Sequence, residues 1–123
     1  MDGWIGDIER ETLDNDTFRT VVFTGESLQL TVMSIEPGSE IGEETHEGHD
    51  QFIRIERGSA RVVLGDETHE AGEDWAIVVP SGVRHNVINT GSEPLRLYSL
   101  YAPPEHAPGT VHRTKADADA AES

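Results

Sequence analysis

Two segments of the chain carry side chains of the types that bind divalent metals, namely imidazole, carboxylate and amide. The first segment holds Glu44, His46 and Gln51, and the second holds His85. Glycine, proline and asparagine residues complete the two patterns, Gly38-x5-Glu44-x-His46-x4-Gln51-x6-Gly58 and Pro80-x-Gly82-x2-His85-x3-Asn89. Because the sequence contains no cysteine, thiolate ligands and thiol nucleophiles are excluded. The predicted chemistry is metal binding by nitrogen and oxygen donors.

The parity of β-strands tests whether these donors can meet. Glu44 and His46 are two residues apart, so on a strand both side chains point to the same face. Gln51 shares its face with two isoleucines, and His85 shares its face with Val87. Each donor therefore lies on a face that we expect to be interior. A small β-barrel has room for one small ligand beside such a group.

The rest of the sequence predicts short β-strands separated by glycine and proline turns. Alternating or continuous apolar residues predict strands over 28–35, 51–57, 60–64, 75–79, 87–89 and 95–101. The run from Trp75 to Val79 is apolar throughout, which is typical of a strand buried on both faces, so Trp75 is predicted to be core. Residues 66–70 are predicted to form a turn. The pattern favours an all-β fold, a small barrel or sandwich.

The chain of 123 residues predicts one domain with a short segment at each end. Residues 1–20 are polar and lack a sustained period, apart from a turn or cap signal at residues 14–16. Residues 21–104 form the predicted barrel. Residues 105–123 form a proline-rich tail whose alanine- and aspartate-rich end is predicted to be disordered.

On the two motifs, the chain resembles the cupin family, in particular the small single-domain cupins often labelled mannose-6-phosphate-isomerase-like. The resemblance implies a double-stranded β-helix (jelly roll) in which Glu44, His46, Gln51 and His85 bind one divalent transition metal per chain. Most metal-binding cupins have His, His, Glu and His at these positions. This chain also has one carboxylate among the four ligands, but at the first position and not at the third. The set suits Fe, Mn, Zn, Ni or Co. Glu43 stays open as an alternative to Glu44.

The resemblance leaves three classes of function open, because the fold alone does not name a reaction. The favoured class is a metalloenzyme, isomerase-like or dioxygenase-like, that acts on a small organic molecule. The alternatives are a non-catalytic ligand-binding or sensing protein and a metal-free epimerase or lyase with His46 or His85 as base. The candidate catalytic residues are Tyr98, Tyr101 and His49.

The remaining cations and histidines are expected outside the site. Arg84 has the opposite parity to His85 and is predicted to face away, while His69 is predicted to be exposed. His106, His112 and Lys115 are expected to pack on the surface with the tail. A phosphorylated substrate is disfavoured, since the sequence predicts few inward-facing cations.

The chain has a formal net charge of −15, with 24 acidic and 9 basic residues. Such a charge repels phosphates and anionic lipid surfaces, which excludes nucleic acids and membranes as partners. It is also typical of proteins from salt-rich cytoplasm, and we expect a cytoplasmic protein that salt stabilises. The resemblance implies a homodimer, with Phe52, Arg54 and Glu56 as candidate interface residues.

Overall fold

Nine β-strands and two helices make up residues 2–122, the part of the chain that this computed structural model describes. In chain order they are α1 (Ile8–Asp14), β1 (Arg19–Thr24), β2 (Gln29–Ile35), β3 (Asp50–Arg57), β4 (Ala60–Leu64), β5 (Glu67–Ala71), β6 (Ala76–Val79), β7 (His85–Asn89), β8 (Leu95–Ala102), β9 (Val111–His112) and α2 (Lys115–Glu122).

The strands form two antiparallel sheets. The larger has six strands in the order β6-β3-β8-β2-β1-β9, and the smaller has three in the order β5-β4-β7. Strand β8 is central to the larger sheet and pairs with β2 on one side and β3 on the other. The predicted all-β class is confirmed.

The apolar core lies between the sheets because alternate residues of each strand point inward. On β3 and β8, Ile53, Ile55, Leu95 and Leu97 are fully buried, and on β2 Met33 joins them. The smaller sheet contributes its own inward-facing side chains, Ala60, Val62, Ala71 and Val87. The inward positions beyond this apolar set are polar, and they carry the site.

The N-terminal segment contains a helix, which the sequence did not predict. Asp7 begins α1 as its N-cap, since its carboxylate accepts a hydrogen bond from the Arg10 amide at 3.1 Å. At the other end, the Arg96 guanidinium donates to the carbonyl groups of Leu13 and Asn15. A cation at a helix C-terminus satisfies carbonyls that have no partner within the helix. The turn signal at residues 14–16 coincides with this helix end.

Two strand predictions were wrong. Residues 67–71 form β5, paired with β4, and not a turn. Strand β6 is an edge strand with only alternate residues buried: Trp75 beside it is 53% exposed and Val78 is 62% exposed. The apolar run therefore does not indicate burial on both faces, because one of its faces has no covering layer.

The C-terminal tail adds two elements to the fold. Strand β9 extends the larger sheet by pairing with β1, with Arg19 opposite His112. Helix α2 follows over Lys115–Glu122, where the sequence predicts disorder, and Ala118 of this helix is 3% exposed in the core cluster. Neither helix in the described range 2–122 is long and apolar enough to cross a membrane.

The close approach of Gly58 to β8 gives a stability prediction. Gly58 and Gly38 both have positive φ angles, +108° and +78°, which L side chains rarely adopt. A Cβ atom at Gly58 would lie 3.2 Å from the Cα of Leu95, whereas one at Gly38 would meet nothing within 4 Å. We expect Gly58→Ala to lower the free energy of unfolding by about 1–3 kcal/mol more than the control Gly38→Ala, because only it adds overpacking to the φ cost. Urea denaturation measures both, and equal losses would contradict the packing argument.

Candidate metal centre

A two-way backbone bridge brings the two polar segments together. The Glu44 amide donates to the His85 carbonyl and the His85 amide donates to the Glu44 carbonyl, both at 2.9 Å. Glu44 precedes β3 in a loop, and His85 is the first residue of β7. The bridge therefore fixes the side chain of a loop residue beside that of a strand residue.

The side chains of Glu44, His46 and His85 converge: one potential ligand atom from each lies within 4.8 Å of the other two. His46 Nε2 is 3.1 Å from Glu44 Oε2, but the two are not aligned as a hydrogen bond, and Nε2 has no hydrogen-bond partner among residues 2–122. His85 Nδ1 lies 3.0 Å from the Val83 carbonyl, so we assign its proton to Nδ1 and leave a lone pair on Nε2. The three groups are close enough together to share one ion.

The loop that carries His46 is tied to the turn before β7. The Gly82 amide donates to the His46 carbonyl at 3.0 Å, and the Gly48 amide donates to Ser81 Oγ at 2.7 Å. In return, the Ser81 amide donates to Asp50 Oδ1 at 2.9 Å. Gly82 of the second motif has a φ of +80° at this point. These bonds hold the His46 loop against the segment that leads into His85.

Gln51 lies on the inward face of β3, opposite Tyr101 of β8, and is 4% exposed. Its Nε2 donates to Ser99 Oγ at 2.8 Å, which leaves the amide oxygen without a hydrogen-bond partner within the described range. A buried carbonyl oxygen without a partner is costly. The orientation that Ser99 imposes thus turns an acceptor, and not a donor, toward the remaining interior.

Their mutual contact shifts the pKa values of Glu44 and His46 in opposite directions. Burial alone would raise the pKa of Glu44, but the contact with His46 and the charges of His46 and Arg19 outweigh it and lower this pKa. The same contact with Glu44 raises the pKa of His46, while burial opposes it and the Glu105 carboxylate adds to the rise. The carboxylate of Glu44 is therefore ionised at neutral pH, as a metal ligand must be.

Glu105 of the C-terminal tail bridges two histidines. One of its carboxylate oxygens is 3.3 Å from His46 Nδ1, and the other is 3.2 Å from His49 Nε2. His49 Nδ1 lies 2.8 Å from the Pro103 carbonyl. His49 therefore sits behind His46 and not with Glu44 and His85. A carboxylate behind a histidine fixes the orientation of its ring and raises its basicity as a ligand.

The buried Tyr101 and the half-buried His106 form a second pair beside His46. The Tyr101 ring centroid is 6.0 Å from that of His46 and 5.2 Å from that of His106, and the Tyr101 hydroxyl is 3.5 Å from His106 Nε2. Burial raises the pKa of Tyr101, so its hydroxyl stays protonated. Burial, assisted by the charge of Arg19, lowers the pKa of His106 to about 4, so this imidazole is neutral.

The tail reaches the interior because Gln29 holds it there. The Gln29 side chain is fully buried, and its Oε1 accepts the amides of Glu105 and His106 at 3.1 and 2.9 Å. Its Nε2 donates to the His106 carbonyl at 2.7 Å. His106 was expected to pack on the surface with the tail, but it is half-buried because these bonds hold the tail against Gln29.

The structure places the other predicted residues away from the group. Tyr98 has the opposite parity to Tyr101 and packs against Phe52 on the outer face of the larger sheet, with ring centroids 6.3 Å apart. Glu43 points outward and contacts Arg84 at 3.3 Å, which separates it from Glu44. His69 is exposed on β5.

Three residues near the group were missed by reasoning from sequence. Glu105 and His106 reach it only through the fold of the tail. Arg19 is 2% exposed, and on β1 it shares the inward face with Val21. The sequence contained one indication of this position: Arg19 alternates with Val21, so both should point inward on a strand. Arginine is rarely buried unless it is paired.

The sequence of this chain is similar to those of known proteins. Residues 31–101 match the family model for the cupin domain. The uncharacterized protein YrkC of Bacillus subtilis is 51% identical over 125 residues, which span 97% of this chain and 67% of YrkC. The uncharacterized protein L612 of Acanthamoeba polyphaga mimivirus is 38% identical over 112 residues, which span 88% of this chain and 70% of L612.

Among solved structures, BH2720 from Bacillus halodurans is 48% identical and superposes with a TM-score of 0.94, covering 95% of this chain and 93% of that one. The TT1209 protein from Thermus thermophilus is 27% identical with a TM-score of 0.72, covering 84% and 98%. The fold and the matched family model define the class: this chain belongs to the cupin family. The predicted resemblance and the jelly-roll architecture are confirmed.

The depressed pKa of His106 predicts that the protein loses stability in mild acid. An unfolded histidine takes up a proton near pH 6.5, but the folded one resists until about pH 4, so the unfolded state binds more protons between these values. Stability conferred by neutral His106 is thus present above pH 6.5 and lost as the pH falls toward 4. When the pH falls from 7 to 5, we expect the free energy of unfolding of the wild type to decrease by about 1–2 kcal/mol more than that of His106→Gln. This figure allows for the partial exposure of His106.

Denaturant unfolding of both proteins at the two pH values measures this difference. The acidic surface titrates equally in the wild type and the variant, so its contribution cancels. Parallel losses in the two proteins would show that His106 is not held neutral by the fold.

Proposed function

We propose that this cupin is a metal-dependent enzyme that acts on a small organic molecule inside the barrel, with one divalent transition metal per chain. The observation that carries the proposal is the convergence of ligand atoms from Glu44, His46 and His85. Gln51 is the fourth donor, through its buried amide oxygen without a partner in the described range. The metal is Fe, Mn, Zn, Ni or Co, because two imidazoles and two oxygens form a donor set of intermediate hardness.

The donor set fits such an ion in charge as well as in geometry. Glu44 is ionised, His85 keeps a lone pair on Nε2, and Glu105 faces the other nitrogen of His46. A bound divalent metal would supply Lewis-acid polarisation of a substrate oxygen for isomerase-like chemistry or, as iron, the activation of O2 for dioxygenase-like chemistry. Four protein donors would leave coordination positions open for substrate.

The chain's own residues have distinct tasks in this proposal. Tyr101 keeps its proton and donates a hydrogen bond to a substrate oxygen. Neutral His106 accepts from the Tyr101 hydroxyl or takes a proton from substrate. Glu105 and His49 hold the His46 ring in place. Tyr98, on the outer face, has no part in the reaction. We expect the enzyme in the cytoplasm with a small organic molecule as its partner.

A metal-free acid–base enzyme is the second candidate, and the Glu44–His46 contact favours it. A carboxylate 3.1 Å from an imidazole of raised pKa is also an arrangement for proton transfer. In this case His46 or His85 is the base and no metal is required. Metal content distinguishes the two candidates.

Elemental mass spectrometry of the untagged protein tests the metal site. We expect about one transition metal per chain, and metal binding weakened by more than about 100-fold after His46→Ala or His85→Ala, since loss of a ligand costs more than loss of a residue that supports one. The sharpest comparison is Glu44→Gln, which should lose metal, against Glu43→Gln, which should retain it. His69→Ala is a second control. Unchanged metal content in the two ligand-histidine variants would contradict the assignment, and a wild type that binds no metal would favour the second candidate.

We propose that the protein is a homodimer with the outer face of β3 at its interface. Phe52, Arg54 and Glu56 point outward on this strand, and Phe52 contacts Tyr98 there. An apolar groove of about 390 Å³ lined by residues such as Trp4, Leu28 and Leu100 opens on the same sheet. Apolar surface of this kind is typical of an interface.

Light scattering measures the mass of the protein in solution. We expect a dimer that Phe52→Asp weakens by about tenfold or more in dissociation constant, because a carboxylate would be buried in an apolar contact. Arg61→Asp on the smaller sheet is the control and should leave the dimer intact. A dimer that Phe52→Asp does not affect would remove this face from the interface.

A further inference from the structure

Arg19 is a buried cation without a carboxylate partner. Its side chain is 2% exposed, and no carboxylate of the described residues lies within 4 Å of its nitrogen atoms. Its Nη1 is 3.3 Å from His112 Nδ1, and its guanidinium lies 5.3 Å from the centre of the Phe18 ring. Its Nε has no hydrogen-bond partner in the range 2–122. A buried charge without a counter-charge is costly, so such a group has a reason to be there.

The guanidinium borders a cavity that the proposed metal site shares. The cavity has a volume of about 150 Å³ and lies between β1, the loop before β3 and α2, with Arg19, Glu44 and Lys115 among its lining residues. The positive charge of Arg19 also adds to the effect of His46 in lowering the pKa of Glu44. The lining of this cavity therefore contains both a buried cation and a proposed metal ligand.

The acidic groups that line the cavity each have a cationic partner. Asp119 is bound to Lys115 by two contacts of 3.0 and 3.1 Å. Glu43 contacts Arg84, and Glu44 contacts His46. Lys115 of the same lining is paired with Asp119, so Arg19 is the cation of the lining that has no carboxylate within 4 Å among residues 2–122. Its guanidinium is therefore the cationic group available to an anionic ligand.

One further buried oxygen is available to a polar ligand in the interior. Thr31 Oγ1 has no hydrogen-bond partner among the described residues. Thr31 is opposite Val21, which shares the inward face of β1 with Arg19, and opposite Ser99 on β8. Polar groups left unpaired on neighbouring inward positions are typical of a ligand site, in which the ligand supplies the missing partners.

From these observations we infer that the substrate is a small organic acid whose carboxylate binds Arg19 while a second oxygen faces the Glu44, His46 and His85 group. This inference rests on the proposed function and adds the substrate class. A guanidinium presents parallel N–H donors that match a carboxylate. A phosphate dianion fits less well, because one arginine balances one charge and Glu44 belongs to the same cavity lining.

The Nε–H signal of Arg19 in ¹⁵N NMR spectra reports this binding directly. It is assigned by its loss in Arg19→Lys, and the probes are glycolate, lactate, malonate and glucuronate, with lactamide as the neutral match to lactate. We expect at least one carboxylate to shift the signal saturably, lactamide to leave it in place, and inorganic phosphate to act more weakly. A signal that none of the four carboxylates moves, or that lactamide moves as far as lactate does, would overturn the inference.

Variants complete the test. We expect Arg19→Gln to weaken carboxylate binding by about tenfold or more, since it removes the charge, and Arg19→Lys to weaken it less. Arg61→Gln, the same change at an exposed arginine on β4, should leave the affinity within about twofold. If Arg19→Gln does not fold, Arg19→Lys carries the comparison. An affinity unchanged in Arg19→Lys and in any folded Arg19→Gln would overturn the inference.

Titrations with and without Zn²⁺, with metal content measured in parallel, separate this inference from the proposed function. Metal that binds without any carboxylate effect at Arg19 refutes the substrate class and leaves the metalloenzyme standing. Carboxylate binding at Arg19 in a protein that takes up no metal supports the role of Arg19 and refutes the metalloenzyme.

Discussion

The antiparallel bridge between Glu44 and His85 is the contact on which the rest of the site depends. Its two hydrogen bonds of 2.9 Å join a loop to the first residue of β7, and thereby join the two polar segments of the chain. With this register, Glu44 and His85 lie side by side, and His46 follows two residues later on the same face. A shift of one residue would turn every one of these donors to the opposite face.

The interior has an apolar part, which stabilises the fold, and a polar part, which lowers its stability. Residues such as Ile53, Ile55 and Leu97 bury apolar surface and stabilise the sheets against each other. Beyond them, Arg19 Nε and Gln51 Oε1 are buried without hydrogen-bond partners in the described part of the chain. Such atoms lower stability, so the apolar part must offset them. A protein that keeps polar groups ready for a ligand accepts this cost in the unliganded state.

The sequence predicted what depends on local patterns. Alternation within a strand correctly placed Gln51 inward with its isoleucine neighbours, and the two motifs correctly identified the family. Tyr98 and Tyr101 were both candidate catalytic residues, but only Tyr101 lies on the inward face of β8, and Tyr98 packs against Phe52 on the outer face. Strand limits for β4 agree with the prediction, because Gly58 and Gly65 mark both of its ends.

What the sequence did not predict depends on contacts between distant segments. The exposure of Trp75 follows from the edge position of β6, which no local pattern encodes. Glu105 and His106 reach the interior because Gln29 binds their backbone. The role of Arg19 could not be predicted for the same reason. It depends on the cavity that Arg19 shares with Glu44, and on the absence of a carboxylate within 4 Å of the guanidinium among the described residues.

Anomalous diffraction from crystals grown with a saturating transition metal tests the central claim most directly. The account predicts one strong peak at about 2.0–2.2 Å from Glu44, His46 and His85, the bond lengths of nitrogen and oxygen ligands. Gln51 would be the fourth protein ligand. No peak between these residues, with metal bound only at surface sites such as His69, would contradict the account.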